Sequence, residues 1–158
     1  MCCFARPGEV ILTYPSSEES FQWERSEEAR KFLEKTRDAR GRLLKVHKLI
    51  HPKPVLIKVC SELQVFTCSL GILMSKQEQN VVPGLRELHD VLAASYINFY
   101  MANGSIIMPQ YENGAGNDEI AKKQLHEIFP DRTILPVHSS MILCGGGNIH
   151  CITQQQPK

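Results

Sequence analysis

"INFYMANGSIIMPQ" (residues 97–110) sets an Asn-Gly pair, Asn103-Gly104, between two apolar runs. The tightest hairpin turns need positive φ at both central positions, and Asn-Gly meets that need, so the stretch predicts a β-hairpin. "NDEIAKKQLHEIF" (117–129) follows with helical spacing. Ile120, Leu125, Ile128 and Phe129 supply its apolar face, Asn117 or Asp118 is placed to cap it, and Pro130 ends it. "RTILPVHS" (132–139) then reads as a short strand. The unit is hairpin, helix, strand.

The same order occurs earlier. "MCCFA" (1–5) and "EVILTY" (9–14) flank "RPG" as a hairpin around a Pro-Gly turn. "SEEARKFLEKT" (26–36) predicts a helix with Ser26 as its cap and Glu27 and Glu28 at its positive end. Ala29, Phe32 and Leu33 share one face. "GRLLKVHKL" (41–49) has the branched content of a strand, halted by "HPKP". The fold class expected is therefore α+β, with modules at about 1–50 and 92–140 joined by a connector at about 55–90 that holds one strand. "MILCGGGNIHCI" (141–152) reads as the opening of a third unit. Each unit leaves an apolar face that must pack on a neighbour, so the repeat is an incomplete array.

Composition narrows the function classes. With 18 basic and 17 acidic residues among 158, the net charge of +1 gives no electrostatic case for nucleic acid or an anionic membrane. The densest basic stretch, "KVHKLIHPK", reads as a strand and turn with solvated lysines. No apolar run approaches the ~18 residues of a transmembrane helix, and "MCCFARPGEV" lacks the pattern of a signal peptide. The cysteines, Cys2, Cys3, Cys60, Cys68, Cys144 and Cys151, fit no zinc spacing and read as free thiols of a cytoplasmic protein.

"GGGNIHCITQQQPK" closes the chain. Glycine runs allow sharp turns and close approach to a ligand, and free N–H groups to bind an oxyanion or a polar substrate edge. The structural alternative is a tight turn entering a strand, with Cys151 an inert core thiol. A catalytic thiolate needs a group that lowers its pKa and a proton shuttle. His47, His51, His89, His126, His138 and His150 are available, none in a legible catalytic setting; His150 adjoins Cys151, but neighbours in a strand face opposite ways.

The terminal "GGGNIHCITQQQP" resembles the C-terminal signature of the agmatine deiminases, of the guanidine-modifying (pentein) superfamily, which are peptidylarginine-deiminase-like. "CCFARPGEVIL", "ERSEEA", "DARGR", "LAASYINFYMANGSIIMPQ" and "IFPDR" resemble family segments in the same order. The resemblance implies a partial α/β propeller, about two modules of a five-module array, with 141–158 as the nucleophile loop. Cys151 matches the family nucleophile, which attacks the guanidinium carbon of agmatine, and backbone at Gly146 and Gly147 borders the substrate. Asn148 and His150 are expected to be structural. No metal or organic cofactor is implied, and the product route is putrescine and polyamine synthesis. In the family a Gly-His-x-Asp-Asn segment, with the acid/base histidine and a guanidinium-binding aspartate, precedes the stretch similar to "MCCFARPG". The chain thus resembles the C-terminal two-fifths of the enzyme, and alone it is expected to be inactive with an unperturbed Cys151 thiol. The connector at 56–85 departs from the family, as does Met141, where an acidic residue is expected. The other readings are a non-catalytic fragment that forms a homo-oligomer or docks on a full-length deiminase, and a redox or metal protein using its cysteines.

Overall fold

The computed structural model describes residues 1–56, 91–111, 117–144 and 146–156. The cysteines at 60 and 68, His89 and nearly all of the connector lie outside them. The order is β1 (Cys2–Arg6), β2 (Glu9–Tyr14), α1 (Trp23–Lys35), β3 (Lys45–Ile50), β4 (Val55–Leu56), β5 (Val91–Leu92), β6 (Tyr100–Ala102), β7 (Ser105–Gln110), α2 (Asn117–Ile128), β8 (Thr133–His138) and α3 (Ser140–Cys144). A turn of 3-10 helix at Ile149–Ile152 follows.

Two three-stranded sheets share one topology. In β1-β2-β3 and in β6-β7-β8 the first pair is antiparallel and the second parallel, with the helix as the crossover. The match extends to single bonds. Gly8 (φ 85°) and Gly104 (φ 77°) end the hairpin turns in the left-handed region that favours glycine. Their carbonyls accept the N–H of the first residue of the parallel strand, Lys45 at 2.9 Å and Thr133 at 3.0 Å. At the far end Tyr14 accepts from His51 (2.9 Å) and Gln110 from Ser139 (3.1 Å). The Asn103-Gly104 turn is a two-residue loop closed by Ala102 opposite Ser105, as the sequence predicts.

One core runs through both sheets, with Ile11 and Leu49 from the first and Ile106, Met108 and Leu125 from the second unit fully buried. Helix α2 joins them, packing on β8 of its own sheet and on β3 of the other. Its Gln124 Oε1 accepts the N–H of Ile50 (2.9 Å), and Asn117 Nδ2 donates to the His51 carbonyl (3.0 Å). Asn117 thus serves the other sheet, while Asp118 accepts from Tyr96. Arg6 stacks on the Phe129 ring at 5.7 Å and donates to the Ile128 carbonyl.

Four expectations are corrected. Helix α1 starts at Trp23 with Gln22 as an N-cap that makes no side-chain bond, so Ser26 lies inside the helix and donates its N–H to Gln22. The cause is tertiary: the Trp23 ring meets Tyr14 edge-on at 5.1 Å, and Ser20 accepts the Trp23 N–H. Phe32 is 69% exposed and α1 buries no residue, because its sheet-facing side is polar, with Glu27 accepting from Tyr14 and Arg30. In α2, Ile120 is 42% exposed and Ala121 takes the buried place. After β8 no hairpin opens; α3 and the 3-10 turn are helical. No helix of the described residues is long and apolar enough to cross a membrane.

Hydrogen bonds from Arg30, then Tyr14, hold the Glu27 carboxyl down at about 2. Its folded value lies below the ~4.3 of an unfolded glutamate, so its contribution is complete above that pH and is lost as pH falls toward 2. Thermal melts should show Glu27→Gln below wild type at pH 7 and level with it near pH 2; a constant gap across that range would count against this network.

Candidate functional site

The residues around Cys151 come from three places: the loop 93–99, the end of β7, and the chain after α3. Gly146 (φ 97°) turns the chain back, its N–H bonded to the Leu143 carbonyl at 3.0 Å. Asn148 then caps the 3-10 turn. Its Oδ1 accepts the Ile149 N–H (2.8 Å), and its carbonyl accepts from Cys151 (2.9 Å) and Ile152 (3.3 Å). Asn148 and Ile149 are buried, and Cys151 is exposed. The strand expected here is a 3-10 turn because the buried asparagine satisfies its orphan N–H groups.

Asn148 is fixed in turn by Tyr111. The Tyr111 hydroxyl accepts from Asn148 Nδ2 (3.2 Å) and from the Ser95 N–H (3.1 Å), and donates to the Ser95 carbonyl (3.1 Å). Burial pushes this phenol up to about 12, so it stays protonated. Beside it Tyr96 donates to buried Asp118 at 2.5 Å, and its phenol is raised by burial and then by that carboxylate.

Asn98 completes the site. Its Nδ2 lies 3.3 Å from Cys151 Sγ and its Oδ1 3.6 Å, and its carbonyl accepts the His150 N–H at 3.2 Å. The thiol is lowered by a hydrogen bond from the Asn148 backbone, then by the Asn98 amide, against a small opposing effect of burial. The expectation of an unperturbed thiol is therefore corrected: neutral donors favour the thiolate without a histidine.

Gly147 has a reason of its own. A Cβ there would sit 2.9 Å from Cys151 Cβ and 3.1 Å from Sγ, so the space beside the thiol exists because residue 147 has no side chain. Among the described residues, the side-chain hydrogen bonds of Cys151 are with Asn98 and not with a histidine. His47 bonds Glu9 (2.6 Å), His51 bonds the Pro52 carbonyl (2.7 Å), His126 is exposed on α2, and His150 is exposed. Asn98 and Tyr111 carry no functional signal in the sequence beyond one carboxamide, Asn98, in the apolar run "YINFYM". The Cys3 thiol is pushed up to about 11 by burial and then by Cys2, which disfavours its thiolate. A cavity of about 780 Å³, whose lining does not include Cys151, lies between Tyr14, Trp23 and α1. It is already served by a cation of the chain, Lys48 Nζ, 3.8 Å from the Tyr14 ring.

A model of the Porphyromonas-type peptidyl-arginine deiminases matches residues 1–157. The chain belongs to this family. It is 44% identical over 159 residues to a Lactococcus lactis protein that carries the provisional name of agmatine deiminase, covering all of this chain and 39% of that one. A Shewanella baltica protein of the same provisional name is 45% identical over 157 residues. The solved agmatine deiminase of Enterococcus faecalis superposes with a TM-score of 0.79 at 40% identity, covering 99% of this chain and 39% of the other. The chain thus spans about two-fifths of the length of these relatives. The fold is that of the deiminase superfamily, mixed α/β.

Tyr111→Phe should leave Ser95 and Asn148 groups buried without their partner, at ~1–3 kcal/mol per orphaned group. A loss of ~2 kcal/mol lowers Tm by about 4–8 °C in a chain of this size. A melt unchanged within a degree would show that the phenol is not holding the site.

Proposed function

We propose that the chain carries the nucleophile of an agmatine deiminase-like amidine hydrolase, with Cys151 as that nucleophile and Gly146 and Gly147 at the substrate border. The observation that carries this reading is an exposed thiol with a lowered pKa, seated beside a glycine that leaves its flank open. The family's membership among enzymes named agmatine deiminase supplies the substrate.

The reaction balances as agmatine plus water to N-carbamoylputrescine plus ammonia, a step toward putrescine and the polyamines. The thiolate attacks the guanidinium carbon to give a neutral tetrahedral adduct; a general acid from another module protonates one amino group, and the carbon–nitrogen bond breaks to release ammonia. The cation left on sulfur is an S-alkylthiouronium. Water adds to its carbon, loses protons to a base, and the carbon–sulfur bond breaks to return the thiolate. Neither step calls for a metal or an organic cofactor.

Two requirements are unmet around Cys151. Among the described residues the groups that hydrogen-bond the sulfur are amides, with no carboxylate for a guanidinium and no imidazole to move protons. Positioned acid/base groups are worth ~10²–10⁴-fold. In this reading they come from further modules of a five-module propeller. The unit borders support that arrangement: α2 sits between two sheets, whereas α1 packs chiefly on its own β2 and β3 and exposes Phe32, and β8 exposes Leu135 and Val137. The same exposed residues favour a second reading, a non-catalytic module that docks on a full-length deiminase or on a second copy.

Ammonia release from agmatine tests the proposal. The isolated chain should be silent. A chimera in which it replaces the matching 39% of the Enterococcus faecalis enzyme should be active, and Cys151→Ser in that chimera should abolish release. Turnover by the serine variant would remove Cys151 as nucleophile, and a folded but silent chimera would favour the docking module.

A further inference from the structure

We propose that Asn98 is a positioning residue for Cys151, its carboxamide holding the sulfur in one orientation as both thiol and thiolate. The inference rests on the reading of Cys151 as nucleophile and adds a residue to it. Three observations carry it. Among the described residues both hydrogen bonds of the Asn98 carboxamide involve this sulfur: Nδ2 donates to Sγ at 3.3 Å, and Oδ1 accepts from the thiol at 3.6 Å. The amide therefore offers a donor to the thiolate and an acceptor to the S–H. The Asn98 backbone is tied at both ends to the rest of the site, its N–H to the Ser95 carbonyl and its carbonyl to the His150 N–H, each at 3.2 Å. Its neighbours Ile97 and Phe99 are buried, which fixes the backbone while the amide stays half-buried at the thiol.

Such a residue acts twice in the cycle. Before attack, Nδ2 shares the charge on sulfur. When the carbon–sulfur bond forms, that charge is gone and the donor is idle. When water has added and the bond breaks, the electron pair returns to sulfur, and the same N–H receives it. A charge-assisted hydrogen bond that exists only when sulfur is anionic favours departure of the thiolate.

The test uses alkylation of the 158-residue chain by iodoacetamide, followed at Cys151 by peptide mass spectrometry from pH 5 to 10. The thiolate displaces iodide, so the rate reports the thiolate fraction and needs no agmatine chemistry. Asn98→Ala keeps both backbone hydrogen bonds and removes the amide. Its profile should move to higher pH, with the rate at pH 7 several-fold lower and the rates merging near pH 10. A profile displaced by about one in pH corresponds to a tenfold lower thiolate fraction at neutral pH. Asn98→Asp keeps the shape but sets a carboxylate beside the sulfur, and its profile should move further. Exposed Cys2 is the internal control, and its profile should not move. Unchanged Cys151 profiles in both variants would overturn the inference, as would equal movement at Cys2, which would mark a general loss of structure. If the profiles move but Cys151→Ser leaves the chimera active, the positioning role stands and the nucleophile reading falls.

Discussion

The Tyr111 hydroxyl holds the site together. It is buried at the end of β7 and uses its donor and both acceptor positions, toward the Ser95 backbone and the Asn148 side chain. A buried polar group without partners costs free energy, so the loop at 95 and the turn at 148 are each obliged to come to it. Asn148 then caps the 3-10 turn, and Ser95 sets the loop from which Asn98 reaches the sulfur. Cys151 itself makes little of this framework; it is carried at its surface.

Placement of a thiol by neutral amides divides the chemistry in a useful way. Amide donors favour the thiolate without adding a charge, so under the proposed function a guanidinium would meet no repelling cation among the groups that hydrogen-bond the sulfur. A lysine beside Cys151 would lower the pKa as well and would repel a guanidinium. The cost is that the amides neither move protons nor bind the cation. In the proposed function those tasks belong to other modules, since the groups that hydrogen-bond the sulfur among the described residues are amides.

Much of the fold was legible because its signals are local. Asn-Gly and Pro-Gly turns fixed both hairpins, and the helical spacing of Leu125, Ile128 and Phe129 fixed α2. The boundaries of α1 were not, because Trp23 is drawn into the helix by a ring contact with Tyr14 on a neighbouring strand. The inert-looking polarity of α1 misled in the same way: Glu27 faces the sheet since Tyr14 offers it a hydroxyl. In the candidate site, Cys151 and the glycines before it stand out by their motif, which is what marks them for the proposed role. Asn98 does not, because its partner is 53 residues away and no spacing rule links a carboxamide to a distant thiol.

The seat of α2 on β3 also sets an order of events in synthesis. Ile50 waits for Gln124, which lies 74 residues later in the chain. At about 5–20 residues per second, a ribosome needs roughly 4–15 s to make that partner. During this interval the first sheet has its own strands but lacks the helix that covers β3, and Leu49 and Ile50 face whatever is nearby. The join that unites the two units thus forms only after most of the chain is made, and a nascent chain presents its first sheet to chaperones and to other chains before its own second unit exists.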